Sequence, residues 1–278
     1  MSAETLDITI LGSGTSTGVP VIGCRCAVCR SENPRNNRTR SSILLHSQEH
    51  NILIDTATDL RQQALRHGLR TLDAVLYTHA HADHINGIDD LRSFNLPHRQ
   101  VIPVYGAAQT LQHIGHLFDY IFNPSKQSGF VPLLKLCPVE SPFRLFDLEI
   151  TPIPLIHGDL TVYGYRCGPL AYLTDCSAIP ARSFPLLKGL DLLILDGLRF
   201  KSHPTHFNIQ QAIEAAQQVG ARRTLLTHLT HDVEHVRDSR NLPADVEFAY
   251  DGQQITLNLS TSSIGRNEEK TTTQGVGT

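Results

Sequence analysis

Apolar residues along this chain fall into short runs that repeatedly close on a histidine or an aspartate. Residues 6–11 alternate and predict a strand. It enters Gly12-Ser13-Gly14-Thr15-Ser16-Thr17-Gly18. That loop misses the spacing of a dinucleotide fingerprint and no P-loop lysine follows, so a tight turn packed against other backbone is at least as good a reading as phosphate contact. Residues 42–45 and 52–54 predict paired strands across a polar turn, the second closing on Asp55. Asp59 is placed to cap a helix running to about residue 67, with Gly68 as its stop.

Residues 72–77 read as a buried strand, and they lead into Thr78-His79-Ala80-His81-Ala82-Asp83-His84. Residues 85–92 carry helical spacing, ended by Pro97. A strand is expected at 101–105. A helix is expected at 107–122, with Ile114, Leu117, Phe118 and Ile121 on one face and His113 and His116 as ordinary surface or boundary residues. Residues 126–142 look strand-like but are broken by prolines, 145–152 resemble a strand, and 153–156 lead to His157. A hairpin through Gly168-Pro169 joins 162–166 to 171–173 and ends at Asp175. Residues 192–195 end at Asp196, and 223–227 at His228. Asn208 caps a helix to about 219, stopped by Gly220. Strand-rich halves, each finishing in helices, predict two β-layers with helices outside.

Strand ends are where ligands gather in α/β proteins. Here Asp55, His79, Asp175, Asp196 and His228 stand at such ends, and His157 follows an apolar run in the same way. The run from His79 to His84, in the order His-x-His-x-Asp-His with small residues between, points to first-row metal binding and not to packing.

Composition adds little against this. The 278 residues are 40% hydrophobic and 18% charged, which fits one large domain or at most two. The net charge of -3 gives no global pull toward nucleic acid or anionic membrane. No apolar stretch is long enough for a membrane span and no signal peptide is evident, so a cytoplasmic protein is expected. Two features stand out: 15 histidines, and three of the six cysteines packed into Cys24-Arg25-Cys26-Ala27-Val28-Cys29. In a reducing compartment such a cluster reads as metal ligands. Cys137, Cys167 and Cys176 read as ordinary buried thiols. His46, His50, His67, His98 and His235 are expected to face solvent. Arg35, Arg38 and Arg40 read as a solvated basic loop, and Arg92 as half of a helix-surface ion pair.

The pattern His79-x-His81-x-Asp83-His84, with Asp55 before it and His157, Asp175 and His228 after it, resembles the metallo-β-lactamase superfamily of hydrolases over roughly residues 6–259. The resemblance implies an α/β (α+β) fold of four layers, an αββα sandwich. It implies a hydrolase domain over 1–259; residues 260–278, rich in Ser, Thr, Gly and Glu and without apolar periodicity, are expected to form a disordered tail. It implies two divalent metals, zinc, manganese or iron: one on His79, His81 and His157, the other on Asp83, His84 and His228, with Asp175 bridging. Asp55 would orient the site through hydrogen bonds, and Asp196 would be a further supporting carboxylate. Asp83 would help orient the nucleophile, a metal-bridging hydroxide.

Within the superfamily, Gly23-Cys24-x-Cys26-x-x-Cys29 is similar to the phosphodiesterases of the carbon–phosphorus lyase pathway, which hydrolyse phosphoribosyl cyclic phosphate. There, three such cysteines and a histidine hold a structural zinc, and His231, three residues past His228, reproduces the spacing. Soft thiolates with one imidazole suit closed four-coordinate zinc independently of that likeness. His203-Pro204-Thr205-His206 followed by Asn208 also matches, and His206 corresponds to the histidine that contacts phosphate or protonates the leaving group. The implied function is hydrolysis of a small phosphodiester, cyclic or of sugar or nucleotide type, by a homodimer. Two alternatives stand beside it. One is a tRNA 3′-end nuclease, which would normally add a basic Gly/Pro-rich arm not seen here. The other is a thioesterase or glyoxalase-type hydrolase, or a non-catalytic relative in cofactor synthesis.

Overall fold

A computed structural model describes residues 5–96, 99–123, 125 and 129–259. Among these residues the chain forms two seven-stranded sheets. The first is built from β1 (Thr5–Gly12), β2 (Ser42–Ser47), β3 (His50–Ile54), β4 (Ala74–Leu76), β5 (Ile102–Gly106) and β6 (Leu134–Pro138) in that spatial order. The second runs β7 (Phe143–Leu145), β8 (Leu148–His157), β9 (Leu160–Cys167), β10 (Leu170–Leu173), β11 (Leu192–Asp196), β12 (Arg223–Thr227) and β13 (Val246–Phe248). The last strand, β14 (Gln254–Asn258), returns to the first sheet and pairs antiparallel with β1. The helices are α1 (Leu60–Arg66), α2 (Ala82–Ile85), α3 (Arg92–Asn95), α4 (Ala108–Leu117), α5 (Asp119–Phe122), α6 (Ile209–Val219) and α7 (His235–Ser239).

Side-chain alternation assigns each strand face to a layer. Ile8, Ile10, Ile43, Ile52 and Leu76 of the first sheet meet Ile150, Tyr165, Tyr172 and Ile194 of the second in one core. The opposite face of the first sheet (Leu44, Leu53, Val75, Val104) packs on the helices that carry Leu60, Ile114 and Ile121. The opposite face of the second (Leu155, Leu173, Leu195, Leu226) packs on α6 through Ile209, Ala212 and Ile213. The result is the expected four-layer αββα sandwich. Burial on both faces explains why β4 and β11 read as continuous apolar runs and not as alternation.

Strand direction then makes the site. β3 and β4 are parallel, and β10, β11 and β12 are parallel. β8 lies antiparallel to β9, and β9 to β10, so β8 points the same way as β10. Asp55, His79, His157, Asp175, Asp196 and His228 therefore arrive at strand ends on one edge of the molecule.

Several elements differ from expectation. The helix after the histidine motif is broken into α2, a 3-10 turn at Ile88–Leu91, and α3. Gly87 interrupts it. Its N–H donates to the Thr56 carbonyl at 2.9 Å, and a Cβ there would lie 2.3 Å from the Ala57 carbonyl oxygen. The helix at 107–122 splits at Phe118, which leaves the helical region at φ −111°, ψ 42°. Leu117 is consequently exposed, not on the buried face. Residues 145–152 and 153–157 contribute to a single strand, β8, turned back on β7 through Phe146 and Asp147. Asp59 sits at the start of α1 but does not cap it: its carboxylate accepts from the Arg40 backbone N–H at 2.9 Å and pairs with the Arg40 guanidinium. Pro97, His98 and the stretches 126–128 and 260–278 lie outside the described residues. α6 begins with a capping box between Asn208 and Gln211, and Gly220 closes it in the left-handed region. No described helix is long and apolar enough to cross a membrane.

Candidate metal centre

Two sets of donors meet at the strand-end edge and share one carboxylate. His79, His81, His157 and Asp175 form the first, and Asp83, His84, Asp175 and His228 the second. In the first, His79 Nε2 and His157 Nε2 lie 2.9 and 3.3 Å from His81 Nδ1, and His79 Nε2 lies 3.8 Å from Asp175 Oδ2. In the second, His84 Nε2 is 3.3 Å from Oδ2 of both Asp83 and Asp175. His228 Nε2 is 3.5 and 3.3 Å from the same two oxygens.

The ring orientations are fixed from outside. Asp55, fully buried, accepts from the Thr78 N–H and Thr78 hydroxyl at 2.8 Å each and from His84 Nδ1 at 2.7 Å. His84 Nδ1 is thereby the protonated nitrogen, and Nε2 offers its lone pair to the site. The Thr205 carbonyl accepts from His157 Nδ1 at 2.7 Å and has the same effect on that ring. Asp55 and His228 hold φ of 64° and 60°. This left-handed backbone costs roughly 1–2 kcal/mol for a non-glycine residue, and surrounding structure must impose it.

The donor set fits divalent cations. Asp83 Oδ2, His84 Nε2 and His228 Nε2 are buried without a hydrogen-bond partner, and buried polar atoms of this kind are costly to leave unmet. Burial depresses His79, His81 and His157 below the usual imidazole range, which keeps them neutral and able to ligate. Burial would depress His84 as well, but Asp175, Asp55 and Asp83 outweigh it and raise it well above that range. His228 is raised in the same way, chiefly by Asp175 against burial. Burial opposes ionisation of Asp175, yet His228 and His84 hold its carboxyl well below the ordinary range. The second set thus calls for positive charge at its centre.

His206 adjoins both sets. Its ring stacks on His228 at 4.8 Å and meets His157 edge-on at 4.7 Å. Asp196, at the end of β11, accepts from His206 Nδ1 at 2.6 Å and from the Cys176 N–H at 2.8 Å. The pair leaves His206 Nε2 as the nitrogen available for proton exchange.

A third cluster lies a short way along the chain. Sγ of Cys24, Cys26 and Cys29 lie 3.3, 3.6 and 3.4 Å from His231 Nδ1, and all three thiols are free. The Cys29 N–H donates to Cys26 Sγ and lowers that thiol to about 6, while burial lifts Cys29 to about 11. Three sulfurs around one imidazole suit tetrahedral zinc.

The glycine loop serves packing. A Cβ on Gly12 would stand 2.0 Å from the Arg40 carbonyl oxygen. The Thr15 N–H donates to the Leu229 carbonyl and the Leu229 N–H to the Ser13 carbonyl, so the loop clamps the residue after His228. Two surface expectations fail. Arg38 is not solvated: it is 2% exposed, with its guanidinium donating to the Thr230 and Val233 carbonyls and to Asn36. His235 is 5% exposed, against Phe248 and Tyr250, because the run of α7 turns it inward. Arg35 lies over the Tyr250 ring, and Arg92 pairs with Asp89 at 2.9 Å. Nothing in the sequence pattern singles out Thr78 or Thr205. Thr78 directly precedes His79, whereas Thr205 acts through its carbonyl, which leaves no mark in sequence.

Comparison with known proteins agrees with this fold. The beta-lactamase superfamily domain matches residues 50–229. A crystal structure described as a new diphosphatase from the PhnP family superposes with a TM-score of 0.86 at 42% identity, over 92% of this chain and 98% of that one. An octanoyltransferase of Porphyromonas gingivalis is 43% identical over 89% of this chain, which spans about half (51%) of that relative's length. A coenzyme PQQ synthesis protein B of Methylorubrum populi is 37% identical over 69% of this chain and 73% of its own. The chain belongs to the beta-lactamase superfamily. Its architecture is a mixed α/β sandwich of two seven-stranded sheets among the described residues.

Proposed function

We propose that the chain hydrolyses a small phosphodiester, using two divalent cations. His79, His81 and His157 would hold one, Asp83, His84 and His228 the other, and Asp175 both. The observation that carries this reading is the pairing of two donor sets on a shared Asp175 with an Asp196-backed His206 beside them. Cations bound there would lower the pKa of coordinated water toward ~7 and neutralise phosphoryl oxygens. The chain's own groups do the rest. Asp83 would accept a hydrogen bond from the nucleophile and orient it. His206 Nε2 contacts the phosphoryl group or gives a proton to the leaving oxygen, and Asp196 stabilises the charged imidazole. The PhnP-family neighbour, a diphosphatase by description, supports phosphorus chemistry. Cys24, Cys26, Cys29 and His231 would hold a structural zinc. That zinc would tie the N-terminal loop to the turn after β12 and so steady His228.

Bis(p-nitrophenyl) phosphate and protein loaded with zinc, manganese or iron(II) provide the test. Turnover with at least one metal is expected, and no turnover with any of them would sink the reading. Hydrolysis of thioesters is the second reading, supported by the octanoyltransferase that shares half its length with this chain. An octanoyl thioester cleaved faster than the diester would favour it. A tRNA nuclease is disfavoured by the net charge of -3. We place the protein in the cytoplasm as a homodimer. The six free thiols support the compartment, and light scattering tests the dimer.

A further inference from the structure

Buried Arg38 stands between the two halves of the cysteine cluster. Its main chain belongs to the cysteine side. The Arg38 N–H donates to the Val19 carbonyl and the Val19 N–H to the Arg38 carbonyl, both at 2.8 Å. A little further along that strand-like segment, the Val21 N–H donates to Cys29 Sγ at 3.3 Å. The side chain of Arg38 belongs to the histidine side. Its Nη1 donates to the Thr230 carbonyl and its Nη2 to the Val233 carbonyl, both at 2.9 Å. Residues 230 and 233 bracket His231, so one guanidinium closes the turn that carries it.

Asn36, also buried, repeats the pattern. Its Oδ1 accepts from Arg38 Nη2 at 3.2 Å and from the His235 N–H at 2.9 Å. Its Nδ2 donates to Glu234 at 2.8 Å and to the Ser31 hydroxyl, just past Cys29, at 3.0 Å. Burying a guanidinium is costly, and a turn in solvent would not need one. Burial lowers Arg38 to about 10 against the pull of Asp251, Glu234 and Asp238, so it stays charged at neutral pH. The planar fork of arginine can hold two carbonyls in one geometry, which a lysine ammonium cannot. The other end of the turn is held separately. The Leu229 N–H donates to the Ser13 carbonyl and the Thr230 N–H to the Leu198 carbonyl, both at 2.9 Å. Arg38 therefore acts on His231, and His228 is held by other bonds.

We propose that Arg38 is a positioning residue for the cysteine–histidine site, fixing the His231 imidazole against Cys24, Cys26 and Cys29 before a metal binds, with Asn36 supporting the same turn. The proposal rests on the reading of those four side chains as a zinc site. It makes the affinity of that site depend on a residue that ligates no metal.

Metal binding by the full chain tests it without turnover. Cobalt(II) in place of zinc reports thiolate coordination by its absorption, and C29S supplies the blank. The wild type should show a thiolate-type spectrum that C29S lacks. R38M should hold zinc at the cysteines about 10- to 100-fold more weakly in chelator competition, the usual effect of removing an outer partner of a metal ligand. Its cobalt spectrum should change, and R38K should fall between, since lysine keeps the charge and loses the fork. Elemental analysis should still find roughly two ions at the strand-end centre of R38M. L145A, a core truncation in β7 at the far edge of the second sheet, controls for lost stability and should keep the wild-type zinc affinity. An R38M affinity within about threefold of the wild type, with an unchanged spectrum, overturns the clamp and leaves the zinc reading intact. An equal loss in L145A, or loss of the centre ions in step with the cysteine-bound zinc, also overturns it, because the effect is then global. If R38M does not fold, R38K decides, and wild-type affinity there refutes the clamp. A wild type without the thiolate-type spectrum overturns the zinc reading and the proposal with it.

Discussion

Replacing Asp196 by Asn isolates what the buried carboxylate does for His206. Asp196 is fully buried, its Oδ2 lies 2.6 Å from His206 Nδ1, and the same oxygen accepts from the Cys176 N–H. Asparagine keeps the shape and can keep the Cys176 contact through its carbonyl oxygen, but it removes the negative charge facing the imidazole. A hydrogen bond to a charged group is worth roughly 1.5–3 kcal/mol. At about 1.36 kcal/mol per decade, turnover should fall roughly 10- to 150-fold. H206A should fall further, within the roughly 10²–10⁴-fold range of a lost general acid. Because the carboxylate acts through the ring, D196N/H206A should be no slower than H206A. The assay is steady-state hydrolysis of bis(p-nitrophenyl) phosphate with metal content measured on the same samples. Multiplicative losses in the double variant would refute the pairing. A metal content that falls with turnover would reassign His206 or Asp196 as a ligand.

The cysteine cluster predicts that C29S loses roughly one zinc per chain and melts at lower temperature than the wild type. Because the thiols must lose their protons to bind zinc, that ion should be held less tightly as the pH falls; an unchanged zinc content in C29S would contradict the assignment. His235 has its pKa lowered to about 4, first by burial and then by Arg35 and Arg38. The unfolded chain takes up this proton near pH 6.5, so the stability held by the neutral ring is full above 6.5 and is lost as the pH falls toward 4. Denaturation across that window should show a shallower slope in H235F, and an unchanged slope would refute the account. G12A has no room beside the Arg40 carbonyl and should cost roughly 1–3 kcal/mol in urea unfolding; a neutral result would show that the loop can move aside.

Much of this molecule was legible in sequence because local chemistry and fold agree there. β12 and α6 occupy the expected residues, since an apolar run ending at His228 and an Asn208-to-Gly220 frame are each self-sufficient signals. The convergence of His79, His157, Asp175 and His228 was legible because apolar runs repeatedly close on a metal-competent histidine or aspartate. What stayed hidden depends on contacts across the fold. Gly87 breaks a helix only because Ala57 lies against it. Arg38 reads as one of a basic run, yet its guanidinium is spent on the carbonyls of residues 230 and 233. His235 reads as polar surface until α7 turns it onto Phe248. Thr205 contributes a carbonyl, which every residue has.

Metal counting on D175A tests the shared-carboxylate centre most directly. Asp175 Oδ2 faces both donor sets, within 3.3 Å of His84 and His228 and 3.8 Å of His79. By elemental analysis the wild type should carry roughly three ions per chain, two at this centre and one on the cysteines. D175A should carry roughly one, with diesterase turnover lost. Retention of both centre ions, or loss of the cysteine-bound zinc in their place, would contradict a dinuclear site built on Asp175.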